Sequence, residues 1–372
     1  MKMIFIKFVV NIIKLVYIPF KLLNVQNKVT IISRQSDVPS DDIIKVEKYI
    51  KKKYKKVKVV ILAKKINKGL INKVLYMIHM LKQMYHISTS KSILLDGYCI
   101  VVSIIKHKKD VIIVQMWHAC CAIKKFGWQI VDKQSGTEKN IAETMKMHNN
   151  YSYVIAPSKI TAEHYKEAFK IKDTQIKFIG LPHIEDLNSG DDYIKIKNSL
   201  FNIDCKLDNK INILYIPTFR KEKVIDLSVF EKYVDFNKYN FIVRLHPLSN
   251  YKNKSSKIIL ADSFSTYNWM KLADIILTDY SSLALEVALM NRRLYFYLYD
   301  YDSYCIDPGL NIDIFNEKIG KYAFKQLESF NSILNDEYDF ESLKDFRNKY
   351  FEVSIEDSTK QLVELLLDRG KE

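Results

Sequence analysis

The sequence predicts an α/β protein built as two domains facing a cleft, preceded by an amphipathic N-terminal helix. Three observations predict it. Short apolar runs alternate with helix-like segments in two series, a pattern of parallel strands covered on both faces. A polar stretch at 186–209 ("DLNSGDDYIKIKNSLFNIDCKLDN") separates the series, as a domain boundary would. The polar residues gather just after the apolar runs, where ligands bind in open parallel sheets. The expected organisation is a helix at 1–25, an α/β domain at 26–185, a linker at 186–209, and a second α/β domain at 210–372 that includes the last helices.

Composition allows this plan. The 372 residues are enough for two cores, and 48% apolar with 12% aromatic content excludes a disordered chain. Only nine glycines are present and G-x-G-x-x-G is absent, so a glycine-rich dinucleotide loop is not expected. The five cysteines lack any Cys-x-x-Cys spacing, which supports neither a zinc site nor a disulfide framework. A net charge of +15 favours an anionic partner. With no zinc finger, RNA-binding signature or basic zipper, that partner is not expected to be nucleic acid.

The first element, residues 3–23 ("MIFIKFVVNIIKLVYIPFKLL"), carries Lys7, Asn11, Lys14 and Lys21 at helical spacing. A spanning helix would place lysines in hydrocarbon at about 2.5–3.5 kcal/mol each, whereas an interfacial helix keeps them at the headgroups. The reading is a membrane-surface helix rather than a span, with a helix packed into the domain as the alternative. Eight lysines between Lys45 and Lys58 then form a solvated helix face or, less simply, a membrane-facing patch.

The strands of the first domain are expected at 29–34, 57–63, 92–98, 111–117, 151–158 and 176–182. Those of the second are expected at 211–220, 239–247, 256–263, 273–282 and 293–300. "VIIVQMW" runs into His118, and "INILYIP" into Thr218-Phe219-Arg220. "FIVRL" ends at His246-Pro247 with Arg244 on the same strand face, and "DIIL" ends at Thr278-Asp279-Tyr280-Ser281-Ser282. A histidine beside a tryptophan is commonly just a packed residue, so the 111–121 stretch alone leaves His118 open between packing and chemistry. In "TDYSSLALEVALM" one hydroxyl or carboxylate caps the following helix, and the same geometry suits a phosphate. With Arg220 as a bidentate partner, the second domain reads as a pyrophosphate receiver.

These blocks, "QMWHA" with "AIKKFG", "PTFR", "RLHP" and "ADIILTDYSSLALEVALMNRRLYFYLYDYDSY", resemble in order and spacing the CDP-glycerol glycerophosphotransferase family of teichoic acid and related capsular polymer synthesis. The resemblance runs from about Val111 to Gly309. It implies a GT-B-like fold of two Rossmann-like domains, with the nucleotide on the second and the acceptor facing the first. It further implies peripheral attachment to the cytoplasmic face of the membrane, an anionic surface. By resemblance His118 is the general base, and His246 lies against the pyrophosphate. Arg220, Thr278, Asp279, Ser281, Ser282 and Arg244 bind the donor phosphates. "GLPHIED" departs from the family pattern, with His183 for arginine and Glu185 for aspartate.

The expected reaction moves glycerol phosphate from CDP-glycerol to a hydroxyl of a lipid-linked saccharide, releasing CMP. CDP-ribitol is the alternative donor, and a GT-B glycosyltransferase using a nucleotide-sugar is the nearer rival. A non-catalytic basic coat protein is the more distant one. No metal ligand and no cofactor is assigned, with room left for a weakly held Mg²⁺. The CDP-polyol is a substrate.

Overall fold

The computed structural model describes residues 2–67, 69–187, 207, 210–220, 224–246, 249–253, 255–262 and 264–367. Two compact units divide the chain: Met1–Glu185 with Glu352–Glu372, and Asp186–Phe351.

The first unit holds six strands, β1 (Gln26–Ser33), β2 (Lys58–Ala63), β3 (Ser90–Leu95), β4 (Ile112–Gln115), β5 (Tyr153–Ala156) and β6 (Ile176–Phe178). They form one parallel sheet in the order β2-β1-β3-β4-β5-β6. β-branched runs such as "VTIIS" are buried because helices cover both faces of such a sheet. Its helices are α1 (Lys2–Tyr17), α2 (Asp41–Lys53), α3 (Leu70–Ser88), α4 (Ile100–Ile104), α5 (Lys139–Thr144) and α6 (Lys159–Phe169). Ser40 caps α2 and Ser158 caps α6, each accepting a backbone N–H from three residues on.

The second unit holds β7 (Ile211–Ile216), β8 (Val224–Asp226), β9 (Tyr239–Val243), β10 (Asn250–Lys252), β11 (Ile258–Leu260), β12 (Ile275–Thr278), β13 (Arg293–Tyr297) and β14 (Ala323–Phe324). Its main sheet is again parallel, in the order β11-β9-β7-β12-β13-β14, with β8 and β10 paired apart from it. Each of the eleven apolar runs read from the sequence overlaps a strand.

Two expectations change. The last helix, Ser358–Leu367, belongs to the first unit and not to the second: Leu362, Val363 and Leu366 are buried where it packs on α2, β3 and β4. Its amphipathic period specified a helix but not which sheet would bury it. The linker expected at 186–209 lies outside the described residues except for Asp186, Leu187 and Leu207. At the N-terminus, α1 presents Val10, Ile13 and Tyr17 to the unit's core and contacts α4 and α5. Ile4, Phe5, Phe8 and Leu15 stay exposed, so the helix is docked by one stripe and bare on another. By length and composition, Lys2–Leu22 is also apolar enough to cross a membrane.

Candidate active site

In each sheet the strand order reverses once. The chain steps from β1 outward to β2 and then returns to β3 on the other side; likewise β7 leads to β9 and β11 before β12 returns beside β7. The crevice at such a reversal is where open α/β sheets bind ligands. Both groups of sequence-predicted residues sit at these places.

In the first unit, Arg34 and Gln35 follow β1, Asp96 and Gly97 follow β3, and His118 follows β4. His118 Nδ1 donates to the Asp96 carbonyl at 2.8 Å. That bond settles the tautomer of the neutral ring and leaves Nε2 with its lone pair. The Gln35 amide lies 3.2 Å from the same Nδ1. Gly97 permits this approach, because a Cβ there would meet the Gln35 amide nitrogen at 2.9 Å.

The turn that presents His118 is strained. Trp117 adopts φ 60°, a region costly for a bulky side chain, and Gln115 holds it by accepting the Trp117 N–H at 2.9 Å. Gln115 in turn donates to the Gly97 carbonyl at 3.0 Å. The indole lies against the His118 ring with centroids 4.3 Å apart, stacks on Phe126 and meets Phe169 edge-on. Tyr165 donates to the Ala119 carbonyl at 2.7 Å, fixing the chain beyond.

Crowding lowers the His118 pKa from 6.5; the Asp96 carbonyl opposes this and Lys124 adds to it. The residue is nonetheless exposed at the surface. A neutral imidazole with one fixed nitrogen and one free nitrogen can accept a proton near neutral pH. Behind it, the buried Asp96 carboxyl is pushed up to about 6, mainly by burial, with a Ser33 hydrogen bond opposing and the Asp42 charge adding. Arg34 donates to the Tyr98 carbonyl at 2.8 Å. The sequence reading missed Arg34, Gln35 and Asp96, although "LLDGY" ended one of its strands.

In the second unit, the "PTFR" turn after β7 meets the "TDYSS" turn after β12. Asp279 is fully buried and accepts from the Thr218 N–H, the Thr218 hydroxyl and Arg220. Arg220 also grips Asp300, which follows β13, through Nε at 2.9 Å and Nη2 at 3.3 Å, and donates to the Thr218 carbonyl at 2.9 Å. Its guanidinium lies 4.6 Å from the Tyr304 ring centre, and Tyr304 stacks on Tyr280 at 3.8 Å. Burial alone would lower the Arg220 pKa, but the Asp279 charge and the Asp300 bond outweigh it and raise it.

The residues expected to bind phosphate have the following partners within the second unit. Arg220 and Asp279 hold each other and the turn. Thr278 is buried, and its hydroxyl donates to the Ile216 carbonyl at 2.8 Å. Arg244 donates from its side chain to the Ala261 carbonyl and from its N–H to Tyr215 at 2.9 Å. Ser281 and Ser282 are half-buried, and Ser281 Oγ accepts the Leu283 N–H at 3.3 Å. His246 is exposed, its ring 5.1 Å from that of Phe219; Pro247 lies outside the described residues. Asp300 and Tyr304 were not singled out from sequence, although both lie in the block that carried the resemblance. A guanidinium occupies the space between the two carboxylates, where a cation would otherwise be attracted.

"GLPHIED" has a holding task in the first unit. His183 N–H and Nδ1 lie 2.7 and 3.0 Å from Asp42 Oδ1, while Glu185 accepts from Thr359 N–H at 2.7 Å and pairs with Lys45 at 3.0 Å. Cys120 and Cys121 are packed in the core.

Residues 16–368 match a family model described as CDP-Glycerol:Poly(glycerophosphate) glycerophosphotransferase. The chain is 30% identical over 296 residues to a teichoic acid ribitol-phosphate primase of Bacillus spizizenii, covering 76% of each chain. It is 29% identical over 298 residues to a teichoic acid glycerol-phosphate primase of Bacillus subtilis, covering 78% of this chain and 76% of the other. Among solved structures, the wall teichoic acid polymerase TagF soaked with CDPG superimposes with a TM-score of 0.72 at 16% identity, over 94% of this chain and 92% of that one. The shared fold is GT-B-like.

Proposed function

The chain belongs to the CDP-glycerol:poly(glycerophosphate) glycerophosphotransferase family, and from that premise we propose how it uses its two crevices. It is a polyol-phosphate transferase of teichoic acid synthesis. The donor is CDP-glycerol, and the acceptor is a hydroxyl of a lipid-linked saccharide. The acceptor oxygen attacks the phosphorus that bears the glycerol; the bond from that phosphorus to the bridging oxygen breaks, and CMP leaves. His118 Nε2 takes the hydroxyl proton as the new bond forms, assistance typically worth about 10²–10⁴-fold. His246 and the hydroxyls of Ser281 and Ser282 receive the donor phosphates, on a turn held rigid by the Asp279–Arg220–Asp300 network.

The observation that carries this reading is the His118 Nδ1 bond to the Asp96 carbonyl, which leaves the other nitrogen free. The likeness to a ribitol-phosphate primase favours CDP-ribitol as the second reading. The bare stripe of α1 and the charge of +15 support attachment to the cytoplasmic leaflet by a surface helix. Because Arg220 already neutralises the two buried carboxylates, the reaction runs on protein donors with no metal cofactor.

The test supplies purified protein and a lipid-linked acceptor with CDP-glycerol or CDP-ribitol, and scores CMP and product mass. CMP from CDP-glycerol, lost in His118→Ala, is expected. CMP from CDP-ribitol alone would install the second reading. Release unchanged in His118→Ala would remove the base assignment, and activity abolished by a chelator and restored by Mg²⁺ would overturn metal independence.

A further inference from the structure

The polar stripe of α1 does not only face solvent. Asn11, Lys14 and Lys21 line a cavity of about 590 Å³, whose other side is built by Ile104 and Ile105 at the end of α4, by Lys106, and by Lys146 and Asn150 beyond α5. Four lysines therefore converge on one space, and no carboxylate lines it. Tyr17 forms part of its wall; the residue is 1% exposed, and its hydroxyl has no hydrogen-bond partner among the described residues. A buried hydroxyl without a partner is costly, and convergent ammonium groups repel, so both features call for an anion with acceptor oxygens.

The backbone is shaped for this. Lys146 and Asn150 sit at φ 48° and 74°, and the Asn150 amide spans the Val102, Ser103 and Ile105 carbonyls, at 2.9, 3.2 and 3.0 Å. It thereby fixes the α4 end that forms the cavity floor. At the rim, Leu15 and Ile18 are 67% and 55% exposed, suited to lie against acyl chains.

We propose that this cavity binds the phosphate of an anionic phospholipid headgroup, with Lys14, Lys21, Lys106 and Lys146 around the phosphate and Tyr17 donating to it. The inference rests on reading α1 as a membrane-surface helix, and adds that the surface is recognised through one built pocket rather than by diffuse charge alone.

The experiment floats the full chain with vesicles of phosphatidylcholine alone, or with phosphatidylglycerol, polyprenyl phosphate or oleate added to equal charge. Variants are Lys106→Gln/Lys146→Gln, Tyr17→Phe, and the control pair Lys53→Gln/Lys56→Gln on and just after α2. The gain from phosphatidylglycerol should fall about tenfold or more in the cavity pair, measurably in Tyr17→Phe, and much less in the control pair. An equal fall in both lysine pairs, or oleate serving as well as phosphatidylglycerol, overturns the pocket. So does a strong preference for polyprenyl phosphate, which would assign it to a carrier lipid instead. If the wild type floats with no vesicle, the membrane reading fails. Titration with short-chain phosphatidylglycerol then decides: saturable binding lost in Lys106→Gln/Lys146→Gln keeps the phosphate site, and no binding removes it.

Discussion

The crevice of the first sheet and that of the second occupy the same topological position and use their charged residues in opposite ways. In the first, His118 is exposed and committed through only one ring nitrogen, with its backbone held in a strained turn. In the second, Arg220 commits four of its five N–H donors, to two carboxylates and a carbonyl, and lies against the rings of tyrosines. A group proposed to move a proton keeps a lone pair open. A group that holds a turn has most of its donors filled. The difference teaches that an arginine at a strand end can spend most of its donors on the protein's own carboxylates and so serve as scaffold.

The contrast is broken most sharply by exchanging the two kinds of loss. His118→Asn should lower kcat by about 10²–10⁴-fold while the unfolding midpoint in urea moves little, since a single part-buried hydrogen bond is lost. Arg220→Ala should do the reverse, leaving two buried carboxylates unpaired and costing about 3–5 kcal/mol in chemical denaturation. Arg220→Lys should recover little of this, because an ammonium lacks the fork that spans Asp279 and Asp300. If Arg220→Ala proved as stable as the wild type but failed to bind donor, the scaffold role would be wrong.

Acid and base sharpen the first crevice further. The His118 pKa lies below its ordinary 6.5, so the rate should hold through pH 6.5 and fall about tenfold per unit only beneath the lowered value. A kcat/KM profile for the acceptor, measured from pH 5 to 8, checks this, because it reports the groups of the free enzyme. Asp96 has the opposite sign: its folded pKa of about 6 exceeds the unfolded value near 3.8, so its protonated form adds stability at low pH that is lost as pH rises through 6. Asp96→Asn should therefore gain on the order of 2 kcal/mol above pH 6, read as a raised denaturation midpoint. The smallest effect expected is that of Ser281→Ala, a few-fold rise in KM for the CDP-polyol with kcat nearly unchanged.

Much of the scaffold was legible because parallel strands write themselves as β-branched runs. "INILYI" and "DIILT" became β7 and β12 with little shift, and His118 came out at the end of β4 as its run implied. What stayed hidden depends on partners distant in sequence. Nothing in "YLYDYDSY" says that Asp300 reaches Arg220 eighty residues earlier. The two-residue β14 is too short to show a period, and the left-handed Trp117 breaks the preference its own side chain would express. The destination of the Ser358–Leu367 helix was equally unwritten, because an amphipathic face specifies that it must be covered but not by what.

That helix has a consequence for how the protein is born. The first unit is interrupted after Glu185 and completed only by the segment from Glu352 onward, which lays Leu362, Val363 and Leu366 over α2, β3 and β4. On the ribosome, the earlier sheet emerges with β3 and β4 lacking this cover beside α2, and must wait while the entire inserted unit is translated. The inserted unit, encoded as one continuous stretch, can finish first. The order of maturation thus runs opposite to the order of synthesis, and the half carrying His118 is the last to be sealed.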